Sequence, residues 1–160
     1  MTSSLALHRV TLAAVTALTL AACSGGDKVT GPSETPAPAT PTGAYTLTTV
    51  DAKGLPWTMY AVTGYTLEIQ SATLSVTADG KWVSKSVTRE TVDSFVSTYT
   101  DSTFGTWTAT AGTASSATTK SAVFTNAETS QTSSITWTAA GLTVQQLDGA
   151  TTHAYAYKRN

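Results

Sequence analysis

Cysteine and histidine are almost missing from this chain, and the two absences remove whole classes of chemistry. Cys23 is the only thiol, so no intramolecular disulfide can form. The two histidines are His8, near the N-terminus, and His153, near the end. A protein zinc site would therefore draw nearly every ligand from Asp and Glu, which is an uncommon set, so neither a metal nor another cofactor is expected. Charge is scarce as well: 12% of residues are charged, against about 25% in an average domain. Acids and bases nearly balance, 10 to 9, and no block of one sign occurs. That removes the electrostatic footprint on which nucleic-acid binding depends.

Catalytic motifs are missing too. There is no Gly-x-Ser-x-Gly elbow, no glycine-rich phosphate loop and no calcium-loop spacing. A Ser–His–Asp set could use only His153, and an isolated strand histidine is more often a surface or core residue. Glu68, Glu90, Asp93 and Asp101 are the acids that could pair for glycoside chemistry. Asp93 and Asp101, however, read as members of a polar loop, where acids are ordinarily just solvated. The expectation is a protein that is not an enzyme.

The chain opens with an export signal. One positive charge, Arg9, precedes an uncharged run from Val10 to Leu20. The run is shorter than the ~20 apolar residues that span a bilayer and matches the apolar segment of a signal helix. Leu20-Ala21-Ala22-Cys23 closes it. This resembles the bacterial lipobox, which implies diacylglyceryl transfer to the Cys23 sulfur, cleavage after Ala22 and acylation of the new amino group. Removal of residues 1–22 takes away Arg9 alone, so 9 basic residues become 8 against 10 acids. Each buried acyl CH₂ adds about 0.8 kcal/mol, so two or three chains anchor stably. The expected location is the cell envelope. Ser24, where inner-membrane lipoproteins of Gram-negative cells commonly carry Asp, points to the outer membrane.

Residues 24–42 hold four of the five prolines (Pro32, Pro36, Pro38, Pro41) among Ser, Thr, Gly and Ala. Without apolar periodicity such a stretch buries too little to offset the entropy of ordering, so residues 23–42 read as a lipidated cysteine and a disordered linker. Extended, it reaches up to about 60 Å at roughly 3.1 Å per residue.

From residue 43 onward the pattern is strand, turn, strand. Tyr45 and Leu47 alternate with threonines, as do the residues of Tyr65–Ile69 and Leu74–Val76. Further short runs occupy residues 104–110, 121–125, 134–138, 142–147 and 153–158. Lys53-Gly54, Asp79-Gly80, Gly112, Asn126, Gly141 and Asp148-Gly149 punctuate the ladder. Threonine is β-branched and polar, which suits the wet face of a strand. Regular spacing without helical period predicts an all-β domain over residues 43–160: an antiparallel up-and-down barrel of eight or nine strands, or alternatively a β-sandwich. Between Ile69 and Leu74 the apolar positions change parity, which calls for a bulge near Ser71-Ala72. Asp79-Gly80 signals a hairpin, and a three-residue loop with Gly80 left-handed sets Val76 opposite Trp82. Lys85, Arg89 and Glu90 suit outward charges that guard a strand edge, although Arg89 could instead point into an open barrel.

All four tryptophans (Trp57, Trp82, Trp107, Trp137) fall in this domain. Each can bury on the order of 200 Å², so their first role is core. Trp82, Trp107 and Trp137, with Arg89, are the candidate ligand-binding residues if the barrel is hollow.

Several segments resemble those of bacterial lipocalin-like domains, small barrels of the calycin type. Gly43-Ala44-Tyr45-Thr46-Leu47 with Val50-Asp51 and Gly54-Leu55-Pro56 is similar to their opening. Leu74 to Trp82 resembles their central hairpin, Gly105-Thr106-Trp107 a mid-domain strand start, and Leu142-Thr143-Val144 with Tyr155 to Arg159 their close. True lipocalins open on Gly-x-Trp, with a late arginine packed over that ring. Here the resemblance assigns those roles to Tyr45 and Arg159, a guanidinium–aromatic contact closing one barrel end. A helix after the last strand is missing from the pattern. The expectation is a monomeric, lipid-anchored barrel that binds an apolar small molecule or a cell-envelope partner. The alternative is a structural or adhesion module with a filled interior.

Overall fold

The computed structural model describes residues 35–110 and 119–160. The leader, Cys23 and residues 24–34 lie outside the described residues. Ten strands follow in chain order: β1 Gly43–Val50, β2 Lys53–Gly54, β3 Trp57–Val62, β4 Tyr65–Val76, β5 Lys81–Val92, β6 Phe95–Ala109, β7 Lys120–Asn126, β8 Thr132–Trp137, β9 Gly141–Asp148 and β10 Thr151–Arg159. Among the described residues there is no helix.

Every pairing is antiparallel. From β4 to β10 each strand pairs with the next, β10 pairs with β1, and β1 pairs with β4. That last contact, Gly43 opposite Val76 through Thr46 opposite Thr73, closes eight strands into a barrel. Closure decides between the two expected architectures, because a sandwich leaves two separate sheets. The short strands β2 and β3 are additions, on β1 and β4 respectively.

The alternation of the sequence becomes the inside and outside of the wall. Tyr45, Leu47, Leu74, Val76, Trp82, Phe124, Ile135, Trp137, Leu142 and Tyr157 are buried inside, with threonines and serines between them facing water. The parity change in β4 is resolved by a register shift between Ile69 and Ser71, so Gln70 is the extra residue, just before the expected Ser71-Ala72. Ile69 below the bulge and Ala72, Leu74 and Val76 above it then all face inward. At the β4–β5 hairpin Val76 lies opposite Trp82, Gly80 has φ +83°, and the Thr77 N–H donates to the Lys81 carbonyl at 2.9 Å. Gly105 has a packing role. A Cβ there would sit 1.9 Å from the Thr125 carbonyl oxygen and 3.0 Å from the Trp82 ring.

Three features differ from the sequence expectation. Residues 95–103, which read as polar loop, form the first part of β6, because β5 templates them residue by residue from Val92 opposite Phe95 to Ser84 opposite Thr103. β5 is paired on both sides along its length, so Lys85, Arg89 and Glu90 guard no edge. Finally, residues 35–42, proline-rich and assigned to the linker, belong to the folded unit. Pro41 is wholly buried, Ala37 packs on the core, and the Trp137 indole donates to the Pro38 carbonyl at 2.9 Å. Composition marks this stretch as linker because it carries few apolar groups. The barrel end supplies the missing contacts.

Candidate functional site

The two ends of the barrel differ. At the end where β1 begins and β10 finishes, residues 37–42 cross the opening. Tyr45 beneath them is fully buried and donates its hydroxyl to the Pro41 carbonyl at 2.6 Å. The Arg159 guanidinium carbon lies 4.9 Å from the Tyr45 ring centroid. Its Nη2 donates to the Tyr45 hydroxyl at 2.7 Å and its Nη1 to the Thr42 carbonyl at 2.8 Å. Burial raises the Tyr45 pKa and the neighbouring guanidinium opposes that rise. Gly43 is needed beside this contact: its φ is +146° and a Cβ would stand 2.8 Å from Arg159 Nη1. This end is plugged.

The opposite end is open. A cavity of ≈ 110 Å³ runs into the barrel there. Trp82, Phe124 and Tyr157 form its apolar part, and Asn126, Gln131 and Gln146 bring amides to its mouth. The Trp82 and Phe124 rings stack at 5.1 Å with 11° between planes. Tyr157 is held neutral, its pKa pushed up to about 12 by burial, with a hydrogen bond to Ser84 acting the other way.

Of the candidate ligand-binding residues, only Trp82 lines this cavity. Trp107 is half-buried at the plugged end and donates its indole N–H to the Thr77 carbonyl. Trp137 is taken up by Pro38. Arg89 stands on the outer face of β5, where its Nε donates to Glu68 at 2.9 Å. Inward positions on β5 are the even ones (Trp82, Ser84, Thr88), so Arg89 cannot share the cavity with Trp82. Cys23 lies outside the described residues.

Above the cavity one side of the wall continues. β6 pairs with β7 only from Gly105 to Ala109. Its first ten residues, with the matching parts of β5, β4 and β3, stand beyond the barrel as a four-stranded overhang. Register sorts its faces. Val62, Tyr65, Val92 and Phe95 lie side by side across the four strands, followed by Tyr60, Leu67, Glu90 and Ser97, then Trp57, Ile69, Thr88 and Tyr99. This face continues the barrel interior. Of its members Tyr60, Val62, Val92, Phe95 and Tyr99 are exposed, Phe95 by 78%. The opposite face carries Thr58, Thr66, Glu68, Arg89 and Thr98, with Val96 exposed among them and Val83 and Phe104 exposed at its base. An exposed apolar patch rimmed by polar groups marks an interaction surface in soluble domains.

Where the overhang meets the barrel, Trp57 packs edge-on against His153 at 5.1 Å and Tyr155 at 6.2 Å. Asp51, in the turn after β1, accepts the Ala154 N–H at 2.9 Å and contacts His153 Nδ1 at 2.7 Å. These hold its carboxyl below the usual carboxylate range, the Ala154 N–H most of all. The Asp51 contacts tie the turn after β1 to β10 at the rim.

Charge follows the same polarity. Asp51, Glu68, Glu90, Asp93, Asp101, Glu128 and Asp148 stand on the open end or its overhang, accompanied among basic residues by Lys53 and, on the overhang's outer face, Lys85 and Arg89. Lys81, Lys120, Lys158 and Arg159 stand at the plugged end with Asp79.

No protein-family model matches the chain, and no curated protein or solved structure matches it either. The closed eight-stranded meander is compatible with a lipocalin-like barrel at the level of fold.

Sequence reasoning did not find the overhang. Its signal was available: Tyr60, Val62, Tyr65, Val92, Phe95 and Tyr99 are six large apolar residues clustered within about 40 positions, in two hairpins too long for a small barrel wall.

Proposed function

We propose that this chain is a non-catalytic, lipid-anchored binding protein of the cell envelope. Its open barrel end, cavity and overhang together, is the binding surface. One observation carries the reading: the exposed aromatic face of the overhang is continuous with the barrel interior. A barrel closed only for stability needs no such wall, and leaving Phe95 and its neighbours in water forfeits about 25 cal/mol for each Å² not buried.

Size selects among ligands. Pockets that enclose drug-sized molecules run to about 300–1,000 Å³, and the cavity is ≈ 110 Å³. The barrel therefore does not swallow a fatty acid, a retinoid or haem. It admits one side chain or small ring, and the rest of the ligand lies along the overhang. That favours an envelope partner presenting apolar groups over an enclosed small molecule.

The test uses Nile red, a neutral apolar probe, with fluorescence followed during titration of the mature chain. The expected result is saturable binding that is lost in a Phe95→Ser/Tyr99→Ser variant of unchanged circular dichroism. Equal binding by wild type and variant refutes the reading, and so does absence of binding to the folded protein. Titration with oleate, retinol and haemin should give no saturable response from Trp82.

A further inference from the structure

The geometry points to the upper edge of β6 as a docking edge, where an extended, basic segment of a partner protein adds as one more strand. This rests on the open end being the binding surface and goes on to name what binds there.

The edge is open and long. Barrel closure removes strand edges below Gly105, but among the described residues no strand pairs with β6 on its outer side from Phe95 to Thr103. All ten residues from Phe95 to Phe104 are exposed. Register says which groups are unpaired. Asp93-Ser94 is a two-residue hairpin loop, so Val92 and Phe95 form a hydrogen-bonded pair and every second pair after it does likewise. Phe95, Ser97, Tyr99 and Asp101 thus bond β5. Val96, Thr98, Thr100 and Ser102 turn their N–H and C=O groups outward, toward the vacant side. The Phe104 carbonyl follows the same parity and is already used by the Ala127 N–H at 2.9 Å.

Of the usual protections the stretch carries one, the inward charge of Asp101. It has no proline, no lysine and no register shift, although such devices normally blunt a free edge. A strand added here would place alternate side chains on the inner face, beside Phe95, Tyr99 and Asp101, and would run toward the cavity mouth at Thr103. Apolar residues fit the first two and a cationic residue the third. Charge decides the occupant. Glu90 and Asp101 stand on this face and Asp93 at its tip, with no basic residue on it among the described residues, while Lys85 and Arg89 lie on the other face with Glu68, so the field at the inner face attracts a basic segment. A second copy brings the same acids against its own, which disfavours pairing of β6 with itself.

The experiment uses a nine-residue peptide that alternates threonine with tyrosine, valine and two lysines, a twin carrying glutamates for the lysines, and a Thr98→Pro/Thr100→Pro variant of the mature chain. Proline at these two positions removes only outward N–H groups and leaves the bonds to β5 in place. Calorimetric titration should show the lysine peptide binding on the order of tenfold tighter than its twin. That ratio should fall toward one at about 1 M salt, where screening acts within roughly 3 Å. The proline variant should lose peptide binding and keep Nile red binding. If the proline variant does not fold, slowed amide exchange at Val96, Thr98, Thr100 and Ser102 of the wild type on adding the lysine peptide replaces it. Nile red binding with no peptide binding overturns this inference and leaves the open-end reading standing. Equal affinity for both peptides overturns it as well. So does sedimentation of the wild type as a dimer that the prolines dissociate, because the occupant is then a second copy.

Discussion

Replacing Arg159 by methionine tests whether the plug contributes to stability or the C-terminal arginine is merely a solvated end. The substitution keeps an unbranched side chain and removes the guanidinium. Two bonds from a charged donor are lost, to the Thr42 carbonyl at 2.8 Å and the Tyr45 hydroxyl at 2.7 Å. Bonds to charged groups contribute about 1.5–3 kcal/mol each, and the half-buried setting of Arg159 places both near the lower figure. The guanidinium over the Tyr45 ring contributes about 1 kcal/mol more. Against these stands Nε, which is buried without a partner, and whose removal returns about 1 kcal/mol. The net expectation is a loss of about 3 kcal/mol, or a fall in Tm of roughly 10 °C for a domain of this size. Urea unfolding of the mature chain, followed by tryptophan fluorescence, measures it. Arg159→Lys should recover less than half, since an ammonium cannot serve two acceptors and a ring face in one plane. A Tyr45→Phe/Arg159→Met cycle should give a coupling of about 1–2 kcal/mol. A loss below about 0.5 kcal/mol for Arg159→Met, or additive single variants, refutes the plug.

Two further predictions concern pH. Tyr157 ionises near its ordinary value when unfolded and is pushed up to about 12 when folded. Its contribution is therefore complete below about pH 10 and lost as pH rises toward 12, amounting to about 3 kcal/mol across that window. Tyr157→Phe should flatten the alkaline limb of urea midpoints by that amount, and an unchanged limb contradicts the assignment. Asp51 behaves in the opposite sense. Its folded pKa is lowered, chiefly by the Ala154 N–H, so its contribution is present above the ordinary carboxylate range and lost as pH falls through the lowered value. Asp51→Asn, which tolerates the φ of +50° at this turn, should be destabilised at neutral pH and lose less than wild type on acidification, as read from thermal unfolding at a series of pH values.

What could be read from the sequence was local and alternating; what could not depended on closure. The β4 parity change between Ile69 and Leu74 requires a bulge whichever strands are neighbours, and Gly80 permits a left-handed turn whatever surrounds it. Both were therefore legible. The plug was reachable only through the resemblance that pairs Tyr45 with Arg159, because nothing in residues 37–42 announces that a barrel end lies beneath them. Pro41 is the sharpest case: its neighbours are small and polar, and its burial comes from Tyr45 and the rim. The overhang escaped for a related reason. Residues 95–103 hold only three apolar side chains, and Phe95 beside Val96 breaks the alternation that marks a half-buried strand, so β5 alone makes them one. Arg89 shows the limit of reading an edge without a topology. The Val76–Trp82 pairing expected from the hairpin already turns it outward, but that β4 and β6 both run along β5 and leave no edge to guard is set by the register.

An exposed ten-residue edge beside aromatic side chains invites self-pairing, and Asp101 is the one charge on it. In antiparallel pairing of β6 with a second β6, the two Asp101 carboxylates come within a few residues of each other, a separation comparable to the ~8 Å screening length at physiological salt. Two charges about 8 Å apart in water repel by ~0.5 kcal/mol. Replacing Asp101 by threonine removes that repulsion and adds β-propensity of up to about 1 kcal/mol at the same position. Together these raise the self-association constant on the order of tenfold. Sedimentation velocity over a concentration series of Asp101→Thr should therefore show a dimer at concentrations where wild type is monomeric, and adding Thr100→Pro to that chain should return it to monomer. If Asp101→Thr stays monomeric at every concentration, or its dimer survives the proline, Asp101 is not what keeps the edge of β6 vacant. Its charge would then have no part in choosing the strand that binds there.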